Sequence, residues 1–199
     1  MQIKKEEVRE AILTTAEKEF LEKGFNNASL RKIVKNAGTT IGNFYNYYES
    51  KEALFVALVE KEYNGFIHLI NGHHAIKKPE INEADKNDIG LIRTIINHYL
   101  EDFVKVLSDR FILLIECSEG TPYEDTKQLI IRLLEEHFIE HIQEHNANYS
   151  NKEMGEILAK QFLEGFTDIL RKYKKTEIRQ KLITELIVFY SFGVMALTQ

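Results

Sequence analysis

Only two prolines, Pro79 and Pro122, stand in 199 residues, and proline is the residue that most strongly stops a helix. Long stretches are therefore free to be helical, and their apolar residues recur at helical spacing. Val8, Ile12, Ala16 and Phe20 form an i, i+4 stripe that predicts a helix from about Lys4 to Lys23. Gly24 follows, at the position where a left-handed cap costs least. Leu30, Ile33, Val34 and Ala37 predict a short second helix over Ala28 to Ala37, again closed by a glycine, Gly38. Thr39 or Thr40 caps a third helix from Ile41 to about Tyr47, and Ser50 caps a fourth that starts at Lys51. Leu54, Phe55, Leu58, Val59, Phe66 and Ile70 carry that fourth helix to about Gly72.

The polar stretch Lys77 to Asp88, which holds Pro79, reads as a loop. Beyond it, Ile89 to Leu107 and Phe111 to Cys117 are apolar enough for core helices, and Glu119-Gly120-Thr121-Pro122 reads as a turn. A helix over roughly Tyr123 to His145 and two last helices, about 152–173 and 177–197, complete the chain. The expectation is an all-α protein of about nine helices: a three-helix head over 1–50 and a larger helical domain over 51–199. The last two helices carry apolar residues over more than one face, among them Phe162, Phe166, Ile178, Leu186, Phe189 and Phe192. Packing that pair against a symmetry mate as four helices would hide this surface in a homodimer; burial within one monomer is the alternative.

Composition sets the compartment and the partners. With 44% hydrophobic and 29% charged residues the chain has the makeup of an ordinary soluble protein. Its one cysteine, Cys117, has no internal disulfide partner, and the N-terminus lacks a leader pattern, so a cytoplasmic location is expected. Leu186 to Gln199, the longest uncharged apolar stretch, falls short of the roughly 20 residues that span a bilayer, so no membrane partner is expected. The net charge of −5 disfavours non-specific nucleic-acid binding by the whole chain. Between Lys23 and Lys51, however, five cations (Lys23, Arg31, Lys32, Lys35, Lys51) face one carboxylate, Glu49. That segment carries +4 and the remainder −9.

The head resembles the TetR family of transcriptional regulators. The likeness rests on Gly24-Phe25, Ala28-Ser29-Leu30, Ile33, Ala37-Gly38, Gly42-Asn43-Phe44-Tyr45, Tyr47-Tyr48 and Ser50-Lys51-Glu52-Ala53-Leu54. It spans about the first 55 to 60 residues; the remainder matches the family in helical layout alone. The resemblance implies a helix-turn-helix whose recognition helix presents its first turn, Thr39, Thr40, Ile41, Gly42 and Asn43, to base edges and phosphates in the major groove. It implies phosphate contacts from Tyr45, Tyr47 and Lys51, with Ser29 adding another from the second helix or serving as its cap. Ala28 stands where the family commonly has threonine, and Ile41 where many relatives place a polar or basic residue. The function implied is that of a dimeric repressor on a pseudo-palindromic, double-stranded operator, released when an unidentified small-molecule effector enters the C-terminal domain.

By the same analogy His98, Tyr99, Phe103, Glu116 and Cys117 are the candidate pocket, with core packing as the alternative for each. A different class of function rests on His137, His141 and His145, spaced i, i+4, i+8, whose adjacent pairs could bind a transition metal. Glu136, Glu140 and Glu144 run beside them, as on a solvated face. No nucleophile motif, phosphate-binding glycine loop or Cys/His cluster at zinc spacing occurs, so neither an enzyme nor a bound cofactor is expected.

Overall fold

The computed structural model describes residues 2–72, 90, 91, 93, 94, 108–143, 146–149 and 151–196. The described residues form eight helices: α1 (Gln2–Asn27), α2 (Leu30–Asn36), α3 (Ile41–Phe44), α4 (Lys51–Gly72), α5 (Arg110–Glu116), α6 (Thr126–Gln143), α7 (Lys152–Lys172) and α8 (Thr176–Ala196). The loop expected over 77–88 lies outside the described residues, and of the helix expected over 89–107 only residues 90, 91, 93 and 94 are described, all four helical. The remaining helices start and stop within a few residues of where their caps and stripes place them. No helix among the described residues is long and apolar enough to cross a membrane.

Packing gathers the chain into two compact units, Met1–Asn64 with Asp109–Lys127, and Gly65–Ser108 with Gln128–Gln199. The expected division at residue 50 follows the motif; the packing adds the first part of α4 and all of α5 to the head. The reason is apolar burial. Phe111, Leu113 and Leu114 on α5 are fully buried, α5 packs on α1, and Arg110 Nε donates to Glu17 Oε2 at 2.9 Å.

The head's core is built from the stripe Ile12, Ala16 and Phe20 of α1, with Ile33 of α2, Phe44 of α3 and Leu54, Phe55 and Leu58 of α4. Phe20 and Phe25 both meet Phe55 edge to face, with centroids 5.3 and 5.4 Å apart. Such tilted pairs let the positive ring edge meet the negative face.

In the second unit, α7 and α8 pack on each other. Phe138 of α6 stacks on Tyr190 of α8 at 5.6 Å, and Phe162 of α7 meets Tyr190 edge to face at 5.2 Å. A Cβ on Gly155 of α7 would lie 2.7 Å from Ile139 Cγ1, so glycine lets α7 approach α6 closely. The guanidinium of buried Arg179 donates to the carbonyls of Tyr173 and Leu170, closing the end of α7. The apolar load of these helices divides. Phe162, Phe166, Leu170, Ile183 and Tyr190 are buried within the unit, whereas Ile157, Ile178 and Phe189 are exposed, Phe189 by 73%.

The break in α1 is sharper than a left-handed cap. Gly24 lies at φ 71°, ψ 165°, a region that glycine alone occupies without strain. A Cβ there would meet nothing within 4 Å, so the cost of a side chain is one of backbone alone. Gly24→Ala is expected to lower stability by about 1–3 kcal/mol with no change in helical content, read by urea unfolding followed by circular dichroism. An unchanged midpoint would show that the break tolerates a side chain.

Candidate nucleic-acid interface

The interface begins at the start of α2. Ser29 has extended backbone, and its hydroxyl accepts the N–H of Lys32 at 3.4 Å, so its capping role is realised. Its own N–H donates to Glu19 Oε1 at 3.4 Å. Glu19 is buried, and its Oε2 lies 2.6 Å from Lys32 Nζ. That contact holds the Lys32 ammonium above its ordinary range. One carboxylate of α1 thus anchors both the backbone and a side chain of α2's first turn.

The turn that follows has a defined form. The N–H of Gly38, at φ 69°, donates to Lys35 O, and that of Thr39 to Val34 O. This pair of bonds is the Schellman closure, which needs the positive φ that glycine supplies. Thr40 then caps α3, accepting the N–H of Asn43 at 3.2 Å. The Asn43 amide donates to Thr39 Oγ1 at 2.8 Å, and its carbonyl oxygen accepts from Asn46 at 3.1 Å. Helix α3 is shorter than expected, ending at Phe44. The N–H groups of Asn46 and Tyr47 donate to Asn43 O and Phe44 O, three residues back, which tightens residues 45–47 into a turn.

This ordering sorts the expected contact residues. Phe44 is fully buried and anchors α3 in the core, while Tyr45 is 56% exposed and rests edge-on against it. Thr40 and Gly42 are exposed, and Thr39, Ile41 and Asn43 are half-buried. A Cβ on Gly42 would meet nothing within 4 Å, so the protein itself does not require glycine there and the backbone is open to an approaching partner. Tyr47 is half-buried, with the Lys5 ammonium 5.9 Å from its ring centroid.

The cationic segment is less free than its charge suggests. Lys23 pairs with Glu22 at 3.0 Å, and Lys32 with Glu19. Lys51 donates to backbone carbonyls of Phe25 and Ala28 at 2.7 and 3.2 Å. Arg31 and Lys35, four residues apart on α2, are exposed and have no carboxylate partner among the described residues. Composition marks the segment as basic, but the selection of Arg31 and Lys35 needs the partners of the other cations. Glu19 also escapes sequence reading, although its place in the stripe Ile12, Ala16, Glu19 is a signal of burial.

Of the expected pocket residues, His98, Tyr99 and Phe103 lie outside the described residues. Glu116 is exposed and Cys117 buried at the end of α5, beside a cleft of 330 Å³ lined by Leu21, Gly24, Phe25 and Glu119. The cleft belongs to the head's unit. His137 and His141 have ring centroids 4.6 Å apart, and His145 lies outside the described residues. Among the described residues, no group of three His, Cys, Asp or Glu could hold a metal ion.

Two short helices joined by a closed glycine turn, set in a core shared with α1 and α4, define a helix-turn-helix domain. Residues 12–58, within the head, match the profile of the bacterial regulatory proteins of the tetR family. The segment is 38% identical over 60 residues to the HTH-type transcriptional repressor NemR of Escherichia coli, a match covering 30% of each chain. It is 43% identical over 53 residues to the HTH-type transcriptional repressor BepR of Brucella suis, covering 27% of this chain and 25% of that one. The match thus spans less than a third of the length of these relatives. A TetR family regulator from Chloroflexus aurantiacus shares the fold over 94% of this chain and 93% of its own, with a TM-score of 0.57 and 11% identity.

Burial, reinforced by the Glu116 carboxylate, pushes the Cys117 thiol up from 9.0 to about 11. The unfolded chain loses this proton first. Stability from keeping the thiol neutral is therefore complete below about pH 9 and is lost as pH rises towards 11. The stability advantage of the natural protein over Cys117→Ala should shrink across that window in urea titrations, and a constant difference would show a thiol that ionises freely.

Proposed function

We propose that this protein is a DNA-binding transcriptional repressor that grips a pseudo-palindromic, double-stranded operator as a homodimer and releases it when a small molecule binds the helical part of the chain. The observation that carries the reading is the short, capped helix α3, which with its caps presents Thr40, Ile41, Gly42 and Tyr45 at the surface of the head. Arg31 and Lys35 stand exposed on the preceding helix, without carboxylate partners among the described residues. The fold supplies the shape that enters a major groove, and the two cations supply phosphate attraction. NemR and BepR are both named as repressors, which supports that sign of regulation.

In this reading Thr39, Thr40, Ile41, Gly42 and Asn43 face the bases. Ser29, Tyr45 and Tyr47 hold the backbone and set the register without specifying sequence. The intramolecular bonds of Thr39, Thr40 and Asn43 pre-organise the turn, and Ile41 offers an apolar contact of the kind that suits a thymine methyl. The exposed Ile157, Ile178 and Phe189 on α7 and α8 favour the homodimer, since an apolar surface of this kind is covered in stable assemblies. The division into a head over 1–50 and an effector and dimer domain over 51–199 belongs to the same proposal.

Selection of bound fragments from random duplex DNA should return one pseudo-palindrome with half-sites about one helical turn apart. On that duplex, Arg31→Ala and Lys35→Ala should each weaken binding and lower the salt slope by about 0.9 for every cation lost from the complex. Tyr45→Ala should weaken binding with the slope unchanged, because a neutral hydroxyl displaces no counterion. Sequence-independent recovery, or no recovery, would end the repressor reading.

A further inference from the structure

Lys51 opens α4 directly after Ser50, whose hydroxyl caps that helix by accepting the Ala53 N–H at 2.9 Å. Its side chain does not extend towards open solvent. Nζ donates to Phe25 O at 2.7 Å and Ala28 O at 3.2 Å, with Asn26 O at 3.4 Å, and lies 4.4 Å from the centroid of the Phe25 ring. An ammonium has three protons and no acceptor, so these carbonyls and the ring occupy it fully. The carbonyls belong to the corner that the chain turns after Gly24, where the regular ladder of α1 has stopped. Carbonyls left at such an end need donors from elsewhere. The same corner is held on another side by the Phe25 N–H, which donates to Cys117 O at 2.9 Å.

We infer that Lys51 is a positioning residue for DNA binding: its ammonium locks the Phe25–Ala28 corner to the first turn of α4 and so fixes the pose in which α2 and α3 meet DNA. The inference rests on the repressor reading and departs from the phosphate contact that family likeness gives this lysine. Reaching a phosphate would strip the corner carbonyls of their donor, and burial already holds the ammonium below its ordinary lysine range. The next residues after the corner are Ser29, the cap of α2, and then α2 itself, so a shift of the corner is passed to the helix-turn-helix without any change in its charge.

Two substitutions separate the roles. Arginine serves a phosphate at least as well as lysine, but its planar fork does not match carbonyls that converge on one nitrogen. Lys51→Arg and Lys51→Met are compared on the operator duplex recovered by selection and on a non-cognate duplex of equal length, with the folded fraction followed by circular dichroism. Both variants should lose about tenfold or more of operator affinity. Their salt slopes and non-cognate affinities should match the natural protein, and both should melt at lower temperature without DNA. The inference is overturned if Lys51→Arg binds like the natural protein while Lys51→Met lowers the slope, or if neither variant changes affinity or melting. A Lys51→Met protein that fails to fold counts for the lock, because a side chain waiting in solvent for a phosphate adds nothing to the DNA-free protein. If selection returns no operator, the repressor reading fails by itself, and the melting comparison still decides whether Lys51 holds the corner.

Discussion

Everything the head presents depends on how the chain turns the corner between α1 and α2. A helix that stops leaves carbonyls without donors, and a helix that starts leaves amides without acceptors. Here both sets fall within six residues, from Gly24 to Ser29. Gly24 takes up the backbone angle, Lys51 serves the carbonyls, and Glu19 accepts the Ser29 amide. The two charged groups come from helices on either side of the corner, so satisfying its polar atoms also joins α1, α2 and α4. A buried carboxylate such as Glu19 is tolerable because its oxygens are used by an amide and an ammonium.

The same accounting changes the electrostatic picture. A count of charges along residues 23–51 gives a strongly basic segment, yet Lys32 and Lys51 are committed to the fold, and Lys23 has a neighbouring carboxylate. In the function proposed here, the attraction to DNA that this segment supplies rests on Arg31 and Lys35, four residues apart on one helix. A small number of free cations suits a protein that must discriminate: phosphate attraction is the same for every sequence, and a weak non-specific term leaves more of the discrimination to groove contacts.

Much of this was legible in the sequence because it is local. Ser29 and Thr40 are capping residues in front of apolar periods, Gly24 and Gly38 follow the last periodic residue of their helices, and both caps and breaks stand where expected. What was not legible is long-range. The partner of Lys51 lies 26 residues away, and that of Arg110 lies 93 away. No period announces either pairing. The inclusion of α5 in the head's unit is of the same kind, since its run of apolar residues signals burial but not the surface against which it is buried. The shortness of α3 has a different cause: a helical pattern over Ile41 to Tyr47 does not distinguish an α-helix from a helix that tightens into a turn after Phe44.

Regulation by an effector, in the function proposed here, must be carried by what the two units share. The chain passes from one to the other at residues 64–65, 108–109 and 127–128, and two of those crossings fall inside the continuous helices α4 and α6. The first turn of α4 is also where Lys51 holds the corner of the head. A ligand that alters the first turn of α4 would act on the corner, and a coupling of about 1–3 kcal/mol changes operator affinity by roughly 5- to 150-fold. That range is comparable to the effect of one or two charge-assisted hydrogen bonds, so partial loosening of the Lys51 contacts would be sufficient to release DNA without unfolding the head.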